Sequence, residues 1–261
     1  MKKFSGGMAV LFFKMSPKIF TVITKLVKGL KVGKAGLAAA SLASYTYIFT
    51  WEFAAMIMVM LFVHESGHIW AMKRCGIKTK GIYFIPFVGG AAVADDEFPS
   101  RRAEVFVAIM GPIWGFALAA LAGLVYIWTA HPLFAAASSW MAMVNLFNLL
   151  PINPLDGGRI MKSIAYSMHS TAGLVFLVVG VVASGFLAFY IGFGLFVFLL
   201  IVGVIELALE YRRRVESPPM DGIQIAESVL VYLLVAGVLW GLMVSTQHVP
   251  GADLAMDLLK D

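Results

Sequence analysis

The sequence contains few charged residues. Only 13% of its 261 residues are Asp, Glu, Lys or Arg, about half of the roughly 25% found in soluble domains, whereas 61% are hydrophobic. This shortage of charge excludes an ordinary soluble globular protein. Apolar stretches of membrane-spanning length recur along the chain, separated by short polar segments. We therefore predict an all-α polytopic membrane protein.

Cysteine and acidic residues are also scarce. Cys75 is the only cysteine, which excludes a disulfide framework and a metal site built from cysteines. The first acidic residue is Glu52, so the eight lysines of residues 1–34 are accompanied by no acid. This segment is predicted to be a basic amphipathic helix on an anionic membrane surface, or alternatively a basic leader that only sets topology. The net charge of +5 follows from membrane topology, and no nucleic-acid partner is predicted.

The apolar segments predict about six to seven transmembrane helices. The transmembrane core is expected at residues 35–246, followed by a short carboxyl-terminal tail at 247–261. The predicted spans are residues 35–50, 53–72, 104–128, 132–150, 171–190, 192–209 and 223–246, with a tight turn at Trp51 and Glu52. Lys and Arg fall in loops on one side only, including Arg159 and Lys162, which predicts a cytosolic amino terminus and an external carboxyl terminus.

The segment between the second and third predicted spans is too short and too charged to cross a membrane. Two β-rich runs on either side of Gly89 and Gly90 predict a membrane-associated hairpin at about residues 81–94. Pro86 restricts its strand to the edge of the sheet. An edge strand can pair with an extended substrate. The alternative is a structural loop that plugs the inner face of the bundle.

Two of the five histidines, His64 and His68, lie in the second predicted span with Glu65 between them. Residues four apart share a face of a helix, so both imidazoles can bind one Zn²⁺. Glu65 lies beside them and is predicted to accept a proton from water as the general base. Ionisable side chains within a membrane-length segment are costly, which favours a functional role over two packed core histidines. The spacing to Lys73 places the metal about 8–14 Å inside the cytosolic boundary.

A tetrahedral zinc ion held by two imidazoles lacks a third protein ligand. The candidates outside the histidine motif are Asp156, Glu206 and Glu227, and Asp156 follows a stretch in which two prolines interrupt the fourth predicted span. Broken backbone at membrane depth is tolerated only where it is buried in protein or lines a wet cavity. Asp156 is therefore the predicted third ligand. Its alternative role is the N-cap of a helix at residues 157–168.

The motif that begins at His64 and the later segment from Asn148 to Asp156 together resemble the site-2 protease family of intramembrane zinc metalloproteases. The resemblance covers roughly residues 53–162 and implies one Zn²⁺ per chain, bound by His64, His68 and Asp156. It also implies that Glu65 is the catalytic base and that Asn148 helps to hold or polarise the substrate carbonyl.

Gly111 and Gly115 resemble a small-residue motif of the same family, with general helix packing as the alternative. Neither a PDZ domain nor a CBS domain is expected, as in the minimal members of the family.

The predicted function is regulated intramembrane proteolysis, in which peptide bonds within or near transmembrane segments of membrane-protein substrates are hydrolysed. The expected partners are such a substrate and the lipid bilayer, with the chain in the cytoplasmic membrane and its site toward the cytosol. The alternative is a catalytically silent zinc-binding membrane receptor or transporter. Glu65 argues against that alternative, because a structural metal site requires ligands but no base.

Overall fold

A computed structural model describes residues 33–86, 89–191, 200, 201, 203–205 and 217–249. This part of the chain is mostly helical and contains a two-stranded antiparallel sheet, which confirms the predicted class at that level. The helices, numbered in chain order, are α1 (Lys34–Ile48), α2 (Trp51–Arg74), α3 (Arg101–Thr129), α4 (Pro132–Asn148), α5 (Asp156–Met168), α6 (Ser170–Ile191) and α7 (Gly222–Thr246). The strands are β1 (Thr79–Ile85) and β2 (Gly89–Ala94).

Within the described residues, α2, α3 and α7 are long and apolar enough to cross a membrane. They coincide with the predicted spans at 53–72, 104–128 and 223–246. A shorter apolar helix is Ser170–Phe186, in α6. The count of six to seven spans stays a prediction. The basic segment at 1–34, the span at 192–209 and the tail at 247–261 lie wholly or largely outside the described residues.

Helix α2 begins two residues earlier than predicted, so the turn expected at Trp51 and Glu52 is wrong. Thr50 is the N-cap, and its side-chain oxygen accepts a hydrogen bond from the backbone N–H of Phe53 at 3.4 Å. A threonine in this position satisfies one of the unpaired amides of the first turn. Glu52 then lies in that turn, where its negative charge complements the helix dipole.

The hairpin is present, but the glycine pair does not form its turn. Gly89 and Gly90 are the first residues of β2, and they pair with Ile85 and Phe84 of β1. Gly89 has a φ of +132°, a backbone conformation that residues with a Cβ rarely adopt. Both glycines therefore belong to the strand itself, where Gly89 supplies a backbone conformation that other residues rarely adopt.

Helix α3 packs against four other helices, α2, α4, α5 and α7. One buried apolar cluster joins it to α4, α5 and α7 and includes Ala108, Ala142, Ile160 and Leu239. A second cluster joins it to α2 and α4 and includes Met60, Ala119 and Met141. Because α2 and α5 both pack against α3, residues far apart in the sequence reach the same side of this helix.

An ion cluster, here defined as Arg101, Glu104, Lys162 and Ser163, fixes α5 against α3. The Glu104 carboxylate lies 3.0 Å from Lys162 Nζ and 3.3 Å from an Arg101 guanidinium nitrogen, and it accepts a hydrogen bond from the Ser163 hydroxyl at 2.8 Å. All four residues are buried. The prediction that Lys162 is a loop charge is therefore wrong, because it neutralises a buried acid from within a helix.

Candidate metal centre

The two histidines of α2 face the same side of the helix, as their four-residue spacing requires. Their Nε2 atoms are 3.1 Å apart, and the ring centroids are separated by 4.8 Å. Both residues are almost completely buried, with exposed fractions of 2% for His64 and 4% for His68. The sequence therefore produces a pair of imidazoles that point into the protein rather than toward lipid.

Asp156 completes the group from a different helix. Its Oδ2 atom lies 3.1 Å from His64 Nε2 and 3.3 Å from His68 Nε2, and the three ligand atoms lie within 4.8 Å of one another. Asp156 is the first residue of α5, whose N-cap is Leu155. The side chain is thus directed at the histidines, and the alternative role of N-cap is not the one observed.

The other ring nitrogen of each histidine donates a hydrogen bond. His64 Nδ1–H donates to the side-chain oxygen of Asn145 at 2.8 Å, and His68 Nδ1–H donates to the backbone carbonyl of Val107 at 2.8 Å. A carbonyl oxygen can only accept, so each Nδ1 carries the proton and each Nε2 presents a lone pair. These are the contacts that orient metal-binding histidines in proteins.

Three electron-pair donors therefore converge on one point. A single proton can lie between only one pair of these atoms, whereas a cation between them contacts all three. Two imidazole nitrogens and one carboxylate oxygen form a set that zinc takes in catalytic sites, with a further position left for water or substrate. The residues fit a single Zn²⁺ held by His64, His68 and Asp156, as the sequence predicts.

Glu65 lies beside this group without belonging to it. It is 6% exposed, and its Oε2 atom accepts a hydrogen bond from the backbone N–H of Ala92 in β2 at 2.6 Å. A Cβ on Gly90 would lie only 2.7 Å from the Glu65 side chain, so the absence of a side chain allows β2 to approach α2 closely. The hairpin thus covers the carboxylate and holds it in place.

Gly111 and Gly115 of α3 make room for the centre. A Cβ on Gly111 would collide with the Nε2 atoms of both histidines, and one on Gly115 would collide with the side-chain amide of Asn145. These glycines therefore do more than allow general helix packing. They let α3 approach the metal-facing nitrogens of both histidines and the side-chain amide of Asn145.

The two asparagines at the end of α4 occupy different positions. Asn148, the residue singled out from the sequence, is the half-buried last residue of the helix. Asn145, which the sequence reasoning missed, is fully buried against His64. A polar residue inside an apolar span, one turn before a motif residue, is a signal that could have identified it.

Of the other acids considered as ligands, Glu227 forms an exposed ion pair with Arg102 instead, and Glu206 lies outside the described residues.

Comparisons with known proteins agree with this centre. Residues 52–134 match the model of peptidase family M50, a segment that includes α2, the hairpin and α3 but ends before Asp156. The similarity to the site-2 protease family, predicted from the two motifs, is confirmed.

Individual relatives extend the match. A zinc metalloprotease of Methanocaldococcus jannaschii is 33% identical over 121 residues, which cover 43% of this chain and 35% of that protein. Rip3 of Mycobacterium tuberculosis is 32% identical over 124 residues (44% and 31%), and a Synechocystis protein is 33% identical over 140 residues (51% and 36%). The name of each contains the words zinc metalloprotease. The matched segments span about a third of the length of these curated relatives.

Proposed function

We propose that this chain is an intramembrane zinc metalloendopeptidase, which hydrolyses peptide bonds within or near the transmembrane segments of membrane proteins. The observation that carries the proposal is the convergence of His64, His68 and Asp156 beside the buried carboxylate of Glu65. Three ligands alone would also serve a structural metal. A carboxylate that adjoins the ligands without joining them is what hydrolysis requires in addition.

The chain's own residues then divide the work of the reaction. Zn²⁺, when bound, acts as a Lewis acid that polarises a carbonyl oxygen and lowers the pKa of water toward neutrality. Glu65 accepts a proton from the attacking water and returns it to the leaving amine. The hydrogen bond from Ala92 holds the Glu65 carboxylate beside the ligands during these transfers. Asn148 is assigned to the substrate carbonyl, as the family resemblance implies.

The position of β2 suggests how a substrate is held. A transmembrane helix hides its carbonyls in internal hydrogen bonds, so the cleaved segment must unwind into an extended form. Strand β2 lies directly against Glu65, and an extended peptide can pair with the edge of a strand. With Ala91→Cys in a Cys75→Ser background, a reporter cysteine next to the cleaved bond is expected to form a disulfide with Cys at position 91 when a mild oxidant is added to take up the two electrons. The control is Leu234→Cys on the exposed face of α7. A reporter that crosslinks no better to Ala91→Cys than to Leu234→Cys would exclude pairing of the substrate with β2.

The proposed location is the cytoplasmic membrane, with six to seven spans and the site toward the cytosol. Support comes from the apolar helices α2, α3 and α7, and from Lys73 and Arg74 at the end of α2, since Lys73 follows His68 by five residues and His64 by nine. Basic residues favour the cytosolic side of a span. The position of the histidines within the apolar helix α2 supports membrane proteins as the substrates.

The experiment that tests the proposal measures zinc content and cleavage of a membrane-peptide reporter in purified protein. Glu65→Gln is expected to retain stoichiometric zinc while cleavage falls about 10²–10⁴-fold, the usual contribution of a general base. Glu52→Gln is the matched control, because Glu52 is exposed at the start of the same helix, about 20 Å away by helical rise. It should bind zinc and cleave like the natural chain.

Two results would contradict the proposal. Full cleavage by Glu65→Gln would remove the base from the mechanism. Stoichiometric zinc in the natural chain without cleavage of reporters of varied sequence would favour a silent zinc-binding receptor or transporter instead.

A further inference from the structure

The side-chain amide of Asn145 has no direct role in the proposed reaction, yet its hydrogen bonds place it against a predicted metal ligand. The residue is fully buried in α4, yet both ends of its side-chain amide are paired. Its Nδ2 donates to the backbone carbonyl of Met141 at 2.7 Å, and its Oδ1 accepts from His64 Nδ1 at 2.8 Å. A buried polar side chain that satisfies both of its ends usually holds another group in a defined position.

The orientation of the amide follows from its partners. The Met141 carbonyl can only accept, so the NH₂ end of Asn145 faces it and the oxygen end faces His64. An oxygen at this position accepts only from a protonated Nδ1. His64 is thereby held with its proton on Nδ1 and its lone pair on Nε2, the atom that points at Asp156 and His68.

The two histidines differ in how they are held. His68 donates to a backbone carbonyl, that of Val107, whereas His64 donates to a side chain. Gly115 leaves the space that the Asn145 amide occupies, since a Cβ there would collide with it. The ring of His64 therefore depends on one replaceable side chain, seated in a slot provided by α3.

From this geometry we infer that Asn145 is a positioning residue for the metal centre. It fixes the ring orientation and the tautomer of His64, and it acts on the metal only through that histidine. The inference rests on the proposed metal centre. Asn148, three residues later on the same helix, is given no such role.

The test measures Zn²⁺ affinity by competition with a chelator in detergent-solubilised full-length protein. Asn145→Leu keeps the approximate volume of the side chain but removes the acceptor, and we expect zinc to bind about 10–100-fold more weakly. Asn145→Asp keeps an acceptor for His64 and is expected to restore most of the affinity. Asn148→Leu, the same change one turn away, should leave zinc affinity unchanged.

A second measurement reports the tautomer without metal. Selective ¹⁵N labelling of the five histidines allows the ring nitrogens to be observed by NMR in the metal-free protein. The natural chain should show His64 protonated on Nδ1, whereas Asn145→Leu should show exchange between the two tautomers. If Asn145→Leu fails to fold, Asn145→Ala is measured in its place.

The possible outcomes separate the inference from the proposal beneath it. Equal zinc affinity in Asn145→Leu and the natural chain would overturn the positioning role alone. Equally weak binding in Asn145→Leu and Asn145→Asp would overturn it too, since a side chain needed only for packing is not rescued by an acceptor. If the natural chain binds no zinc, the metal centre fails and the inference with it.

Discussion

Two buried polar clusters, the ion cluster and the metal centre, are both built against α3, but they differ in how their charges are balanced. In the ion cluster, the Glu104 carboxylate meets Lys162 and Arg101, so the chain supplies the positive charge itself. In the metal centre, the Asp156 carboxylate meets two imidazole nitrogens whose ring protons lie on the far side. The first cluster is complete as a structural device. The second collects electron pairs and requires a cation from outside the chain.

The two clusters are also mechanically linked. Lys162 lies six residues after Asp156 on α5, and Glu104 lies seven residues before Gly111 on α3. At 1.5 Å per residue, each separation is about 10 Å along a rigid helix. The ion cluster therefore sets the register of α5 against α3, and that register brings Asp156 to the histidines.

The largest expected effect comes from breaking the ion cluster. Glu104→Gln removes the carboxylate charge that pairs with the buried Lys162, and losing one partner of a buried pair typically costs about 3–5 kcal/mol of unfolding free energy. The loss should appear whether or not zinc is present. It can be measured by denaturant unfolding in detergent micelles, followed by circular dichroism.

A paired replacement sharpens this prediction. Glu104→Leu combined with Lys162→Met removes the buried Glu104–Lys162 pair while Arg101 is kept, and it should recover part of the stability that Glu104→Gln loses, since apolar residues of similar volume often replace a buried pair. If Glu104→Gln unfolds like the natural chain, the cluster contributes nothing and the comparison fails.

Removing a ligand from the metal centre should give a smaller loss that appears only with zinc. At zinc 1,000-fold above its Kd, the natural chain gains about 4 kcal/mol of unfolding free energy. Asp156→Ala is expected to bind at least about 100-fold more weakly, so at the same zinc it gains about 1.4 kcal/mol. Thermal unfolding with and without a chelator measures the difference.

The exposed His248 provides the control for this experiment. His248→Ala should respond to zinc like the natural chain, because it lies outside the centre. A zinc response that persists in full in Asp156→Ala would show that the metal binds elsewhere and would remove the distinction between the two clusters.

Much of the centre could be predicted from the sequence because its ligands obey local rules. His64 and His68 are four residues apart on one helix, so their geometry follows from helical periodicity. Asp156 stands out because two prolines interrupt a span just before an acidic residue. Such signals require no knowledge of how distant helices pack, and the structure brings these three residues together.

What could not be predicted depends on the register between helices. Glu104 and Lys162 are 58 residues apart, and nothing local shows that they pair. Asn145 and Asn148 look alike in the sequence, and only the rotation of α4 against α2 decides which one contacts His64. Likewise, Gly89 and Gly90 resemble a turn in the sequence, but both lie in β2. Position 90 has no room for a side chain, because Glu65 occupies the space beside it.

The smallest expected effect concerns an ion pair that resembles the ion cluster in chemistry but is exposed. Lys80 Nζ lies 2.8 Å from Asp95 Oδ1, with both side chains about half exposed to solvent. The hydrogen bond to Asp95 and its charge raise the pKa of Lys80. A raised lysine pKa adds stability at pH values below the unfolded pKa of about 10, and this is lost as pH rises through the folded pKa. Because solvent screens exposed pairs, Lys80→Gln should unfold like the natural chain at neutral pH, in contrast to Glu104→Gln in the same assay. A loss as large as that of Glu104→Gln would mean that burial is not what separates a structural ion pair from an incidental one.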